Sequence, residues 1–122
     1  MPRITLPYPP SVNHYWRRVG PRTLISKQGR KYKIDVAAEC LQRGLRPTDE
    51  RVAVTIYAAP PDRRRRDLDN LLKPLLDSLA GYAYRDDSQI DRLEIVRCRS
   101  VADGSVDVIV EELGDAIEER TK

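Results

Sequence analysis

Apolar residues recur along this chain in two rhythms, and each change of rhythm marks an element. Val52, Val54, Ile56 and Ala58 alternate with Arg51, Ala53, Thr55 and Tyr57. A period of two predicts a strand with one buried face, and Pro60-Pro61 ends it. Val106, Val108 and Val110 repeat the rhythm over residues 105–111. The turn signal Asp103-Gly104 predicts that residues 90–99 and 105–111 form an antiparallel pair. Arg3-Ile4-Thr5-Leu6 makes a shorter strand, stopped by Pro7, Pro9 and Pro10.

Two stretches follow the helical period instead. Ser26 is a natural N-cap and Gly44 a natural stop for a helix whose stripe is Tyr32, Val36 and Cys40, with Ala37 and Leu41 beside it. Leu72, Leu75, Leu76 and Leu79 predict a second helix over Leu71–Ala80, closing at Gly81. Pro74 removes a backbone donor and disfavours helical geometry at Lys73, so it belongs in the first turn and the regular helix begins close to Asn70 or Leu71. Ser11 to Thr23 reads as loop or loose hairpin, and Gly114 to Lys122 as a frayed tail or short helix. The order β-α-β-α-β-β predicts one α/β (α+β) domain over residues 1–122. Its two layers are a mixed β-sheet and two helices on one face, burying the leucine row against the valine rows.

A chain of 122 residues supports one modest core. It has no apolar run of transmembrane length and no signal-peptide pattern. Cys40 and Cys98 lack the close spacing of a zinc site or disulfide framework. A reduced, cytoplasmic setting without a membrane partner is expected. The net charge of +3 hides a strong asymmetry: residues 1–46 carry 10 Lys/Arg against 2 Asp/Glu, and residues 47–122 carry 12 against 17. A basic front half suits a polyanion, and nucleic acid is the natural one. A charge run taken alone is more often just a solvated face.

The chemistry concentrates in Asp67-Leu68-Asp69-Asn70-Leu71-Leu72-Lys73, preceded by Arg63, Arg64, Arg65 and Arg66 and followed by Asp86-Asp87. Carboxylates held together repel unless a cation neutralises them. A few hard oxygen ligands suit Mg²⁺ or Mn²⁺, which keep waters and bind substrate phosphate, and adjacent arginines grip phosphate. Asp69, Lys73 and Asp77 would share a helix face, the ordinary reading of which is a surface ladder of ion pairs. Asp67 weighs against that reading: in an extended segment its side chain points the same way as that of Asp69, and a helix N-terminus follows. Asp86 and Asp87 are read alike by these arguments, and either is a ligand or part of a solvated turn. His14, the sole histidine, lacks a partner for metal binding. Tyr15 and Trp16 either stack on exposed bases or cap the core.

The chain resembles the RusA family of Holliday-junction resolvases. The resemblance rests on Leu6-Pro7-Tyr8-Pro9-Pro10-Ser11-Val12-Asn13, on Pro61-Asp62-Arg63-Arg64-Arg65-Arg66-Asp67-Leu68-Asp69-Asn70 with Lys73 at the expected offset, and on Asp86-Asp87-Ser88-Gln89. It implies Asp67, Asp69 and Asp87 as the catalytic, metal-binding carboxylates and Lys73 as the catalytic lysine, choosing Asp87 over Asp86. It also implies a homodimer, a Mg²⁺ requirement and paired cuts that resolve a four-way DNA junction. Arg63–Arg66 with Arg17, Arg18, Arg22, Lys27, Arg30, Lys31 and Asn13 would hold the DNA arms. The rival expectations are a branched-DNA-binding protein that does not cut, and a nuclease for flaps or simple duplex.

Overall fold

The computed structural model describes residues 3–114; all but the first residue of the tail expected from Gly114 onward lies outside them. A mixed four-stranded sheet runs in the order β1-β6-β4-β5. β1 is Arg3–Pro7, β4 Val52–Ala59, β5 Ile90–Arg97 and β6 Ser105–Glu112. β6 lies antiparallel to both β1 and β4, whereas β5 lies parallel to β4. Two principal helices, α2 (Lys27–Gln42) and α3 (Leu72–Leu79), pack with it as the second layer. The expected α+β, two-layer architecture is therefore present.

The valine rows do what their period predicts. Val52, Val54, Ile56, Ala58, Val106, Val108 and Val110 join Ile4 and Leu6 in one core cluster. Tyr32, Val36 and Cys40 of α2 and Leu71, Leu75, Leu76 and Leu79 of the α3 region meet them there. Burial pushes the Cys40 thiol up to about 11, so it packs as a small apolar side chain. Leu41 departs from expectation. It is 67% exposed, because one residue past Cys40 turns it about 100° away from the buried stripe. Leu72 is only partly buried.

The expected antiparallel pairing of residues 90–99 with 105–111 does not form, because β4 lies between the two strands. The segment joining them passes the end of β4, where Cys98 N donates to Ala58 O at 2.7 Å and Val101 N to Pro60 O at 3.0 Å. The turn itself is real: Asp103 and Gly104 have φ of 65° and 71°. It reverses the chain around a third strand instead of joining neighbours.

Of the two readings of Ser11–Thr23, the hairpin is the one that forms. A short helix, α1 (Val12–Tyr15), leads into a hairpin of β2 (Trp16–Val19) and β3 (Arg22–Ile25). Ser26 caps α2 as expected, its hydroxyl accepting from Gly29 N at 2.9 Å. Around Pro74 the helix is built in two steps, a 3-10 turn at Leu68–Leu71 and then α3. Pro74 is thus the third residue of α3, where its missing donor costs nothing.

Candidate functional site

Two 3-10 turns bring the acidic motifs to the surface. Leu68–Leu71 leads into α3, and Asp87–Gln89 leads into β5. Asp67 occupies the N-cap position of the first turn, yet its carboxylate accepts no capping hydrogen bond. Asp67 and Asp69 are both exposed. Because the chain turns at Leu68, the extended-segment argument for a common direction of Asp67 and Asp69 does not apply.

Lys73 links the two turns, its Nζ standing 3.6 Å from Asp87 Oδ2. The surface ladder of Asp69, Lys73 and Asp77, the ordinary reading of that spacing, is therefore not what forms. Asp77 instead accepts from the Tyr15 hydroxyl at 2.6 Å and from Lys33 Nζ at 3.3 Å. Its burial raises the pKa, but the Tyr15 hydroxyl and the Lys33 ammonium outweigh that and leave it below the usual carboxylate range. Tyr15 is completely buried and meets Trp16 edge to face at 5.1 Å. It caps the core and is unavailable for base stacking.

Asp86 and Asp87 have different surroundings. Asp86 Oδ2 accepts from Ser88 N at 3.0 Å, and the Gln89 side chain accepts from Asp86 N at 2.8 Å, a capping box. That hydrogen bonding to Ser88 holds the Asp86 carboxyl below its ordinary value. Asp87 takes no part in the box and faces Lys73. Gln89 is a positioning residue that the residue types did not reveal. Its Oε1 accepts from Arg85 N and Asp86 N, both at 2.8 Å, while its Nε2 donates to Thr48 O at 2.8 Å and Glu50 O at 2.9 Å. All four of its hydrogen-bonding positions are used, fixing the Asp86-Asp87 turn to the segment that enters β4.

The four arginines divide. Arg66 donates to Asp62 Oδ1 at 2.6 Å, and Arg64 Nε to Asp62 Oδ2 at 3.2 Å. The Arg66 guanidinium and the Arg64 amide hold the Asp62 carboxyl far below its ordinary range. Arg97 Nη2 donates to Arg66 O at 2.7 Å and pins the loop from β5. Arg63 and Arg65 are exposed and make no ion pair among the described residues. Arg17, Arg18 and Arg22 project from the β2–β3 hairpin, and Asn13 is exposed on α1. Lys27 is exposed at the start of α2. Lys31 pairs with Asp35 at 2.9 Å, and Arg30 donates to Ile25 O at 3.0 Å, which ties it to the hairpin.

Among the described residues, no three His, Cys, Asp or Glu side chains converge closely enough to hold a metal ion. Asp67, Asp69 and Asp87 are thus not gathered into one oxygen cage within this chain. Their chemistry still suits Mg²⁺ or Mn²⁺, which bind through one or two carboxylates and complete their shells with water and phosphate.

Residues 7–111 match the family described as Endodeoxyribonuclease RusA. The chain belongs to this family. It is 46% identical over 114 residues to the crossover junction endodeoxyribonuclease rusA of Enterobacteria phage HK97, covering 91% of this chain and 94% of that protein. Identity is 39% over 118 residues to the protein of the same name from Enterobacteria phage 82, and 38% over 118 residues to that of Escherichia coli strain K12. Each of those alignments covers 92% of this chain and 95% of the relative. The family match takes in the three motifs of this RusA-family chain except Leu6, from Pro7 through the arginine run to Gln89. No helix among the described residues is long and apolar enough to cross a membrane.

Proposed function

We propose that this chain is a crossover junction endodeoxyribonuclease, a phosphodiester hydrolase that resolves four-way DNA junctions by paired nicks. The observation that carries the reading is the Lys73–Asp87 ion pair, joining the Asp67-Leu68-Asp69-Asn70 turn to the Asp86-Asp87 turn beside an exposed arginine loop. Arg63 and Arg65 have their guanidinium groups free for backbone phosphates, while Arg64 and Arg66 fold the loop that presents them. A phosphate drawn in there meets Lys73, whose amine stabilises charge developing on the phosphoryl or leaving oxygen. The Asp87 carboxylate keeps that amine in place before substrate arrives. Asp67, Asp69 and Asp87 would hold Mg²⁺, which when bound offsets phosphate charge and activates a water. Mn²⁺ is chemically able to replace it.

The acting species in this proposal is a cytoplasmic homodimer. A four-way junction has approximate two-fold symmetry and needs nicks in two opposed strands, and two-fold pairing presents one cluster to each. Cleavage of four-way, forked and linear DNA, each with Mg²⁺ and with chelator, tests the reading. Paired nicks in the four-way junction alone, dependent on Mg²⁺, support it. Binding indifferent to Mg²⁺ without cutting points to a binding protein, and equal cutting of all three substrates to a general nuclease. A mixed dimer of one intact and one Asp69→Asn chain should nick one strand per encounter; efficient paired cutting by it would remove the two-site scheme.

A further inference from the structure

The cleft next to Asp67 has walls that a DNA backbone does not need. It is open to solvent and offers about 910 Å³, and its lining includes Arg65 and Asp67 on the one hand and Tyr8, Pro9, Pro10 and Tyr32 on the other. The arginine side answers to phosphate. The proline and tyrosine side does not, because a phosphate gains nothing from carbon surface. A flat heterocycle does: stacking a base on an aromatic ring contributes about 1–3 kcal/mol.

The apolar wall is firmly held. The Tyr32 hydroxyl donates to Pro7 O at 2.7 Å, so its polar end is satisfied and its ring packs under the segment that carries Tyr8. The Asp103-Gly104 turn presses on Tyr8 and Pro61: a Cβ on Gly104 would lie 2.9 Å from Tyr8 Cβ and 2.9 Å from Pro61 Cδ. The volume also exceeds what a phosphate alone would fill. Asn70 and Asp103 add an amide and a carboxylate to the lining. Both groups read base edges, amides by paired hydrogen bonds and carboxylates by accepting from an exocyclic amine. Asp103 would repel a second phosphate, which further favours a base over backbone at that end.

We propose that this cleft receives one nucleobase, unstacked from the duplex beside the phosphate that is cut, with Tyr8 as its stacking surface and Asn70 and Asp103 at its edge. The proposal rests on the resolvase reading and deepens it by giving the enzyme a means of choosing where to cut. A branch point is where unstacking costs least, because the stack is already interrupted. Structure selectivity and base selectivity would then act at one place: arms set the register through phosphates, and the cleft accepts or rejects the base presented.

The test uses four-way junctions carrying 2-aminopurine, which brightens on unstacking, at each nucleotide flanking the cut. Wild-type protein is bound in chelator so that the DNA stays whole. The expected result is a severalfold fluorescence rise at a single position. Tyr8→Ala should abolish that rise and weaken junction binding by roughly 5- to 150-fold, the span of base–aromatic stacking, while Tyr8→Phe keeps both. Independently of any variant, a mismatch opposite the reporting base should tighten binding of the wild-type protein severalfold, since extraction then costs less. Junction binding without a rise at any position overturns the proposal. So does a rise that survives in a folded Tyr8→Ala protein, or a mismatch without effect. A wild-type protein that binds no junction would overturn the resolvase reading and this proposal with it.

Discussion

Replacing Gly29 by alanine sets two effects of known size against each other. Gly29 is in the first turns of α2, where helix propensity alone favours alanine by about 1 kcal/mol. A Cβ there would stand 2.6 Å from Tyr15 O and 2.8 Å from Ile25 Cγ2, well inside the 3.5–4.0 Å of ordinary carbon contacts. The Ile25 side chain can yield. The Tyr15 carbonyl cannot easily do so, because it accepts from Ser26 N at 2.8 Å and Tyr15 is anchored in the core through Asp77. Forced overpacking costs about 1–3 kcal/mol, and stretching the Ser26 bond adds about 1 kcal/mol. The clash wins by about 1–3 kcal/mol, a fall in Tm of roughly 4–12 °C for a domain of this size. Thermal unfolding followed by circular dichroism reads it directly. The displaced part also carries Arg17, Arg18 and Arg22, so junction affinity should fall at a temperature where the variant is still folded. A Tm equal to or above wild type would mean that propensity decides, and that α1 and the hairpin are not docked on α2 as described.

Three further outcomes follow from particular contacts. Lys73→Ala should slow single-turnover cleavage at saturating protein by at least tenfold while junction affinity changes little; a loss of affinity with an unchanged single-turnover rate would make Lys73 a phosphate contact only. Arg63→Ala and Arg65→Ala should each lower the slope of log affinity against log salt by roughly one, whereas Arg64→Ala and Arg66→Ala should act through Tm, and four equal slopes would contradict the division made by Asp62. Tyr15→Phe removes the hydroxyl from Asp77, whose folded pKa is depressed. A depressed carboxylate stabilises above its unfolded pKa of about 4 and loses that contribution as pH falls through its folded value. The Tm difference between Tyr15→Phe and wild type should therefore be largest near neutrality and shrink below about pH 4; a gap independent of pH would refute the link.

The sequence made most of the core legible because its apolar residues keep strict periods. It misled at the β5–β6 connection, where turn chemistry reports a chain reversal and says nothing about what lies between the strands. β5 carried a warning, since Arg92-Leu93-Glu94-Ile95-Val96 does not alternate cleanly, as befits an edge strand with most residues exposed. The acidic and arginine motifs were legible as chemistry, but not their internal roles. Asp62 divides the arginines by hydrogen bonds that composition cannot display. Gln89 acts through four contacts to backbone, which depend on where the chain runs and not on the residue type. Tyr15 and Trp16 were indistinguishable until the partner of Tyr15, 62 positions away, was in place.

That partnering sorts the carboxylates into two classes. Asp62, Asp77, Asp86 and Asp107 each accept hydrogen bonds within the fold and have depressed pKa values. Asp67 and Asp69 accept no side-chain hydrogen bond among the described residues, and Asp87 meets only the half-exposed Lys73. The fold does not need the charge of this second class. Neutralising any of the three also removes repulsion toward phosphate. Asp67→Asn, Asp69→Asn and Asp87→Asn should therefore melt within about 2 °C of wild type, as surface substitutions free of structural contacts do. They should bind the junction at least as tightly while cleavage is lost. Asp62→Asn and Asp86→Asn should show the reverse, a lower Tm with chemistry intact in the fraction that is folded. Measuring Tm and single-turnover cleavage for all five separates the classes. An Asp87→Asn protein that cuts normally, beside an inactive but stable Asp86→Asn protein, would exchange the roles of the two aspartates.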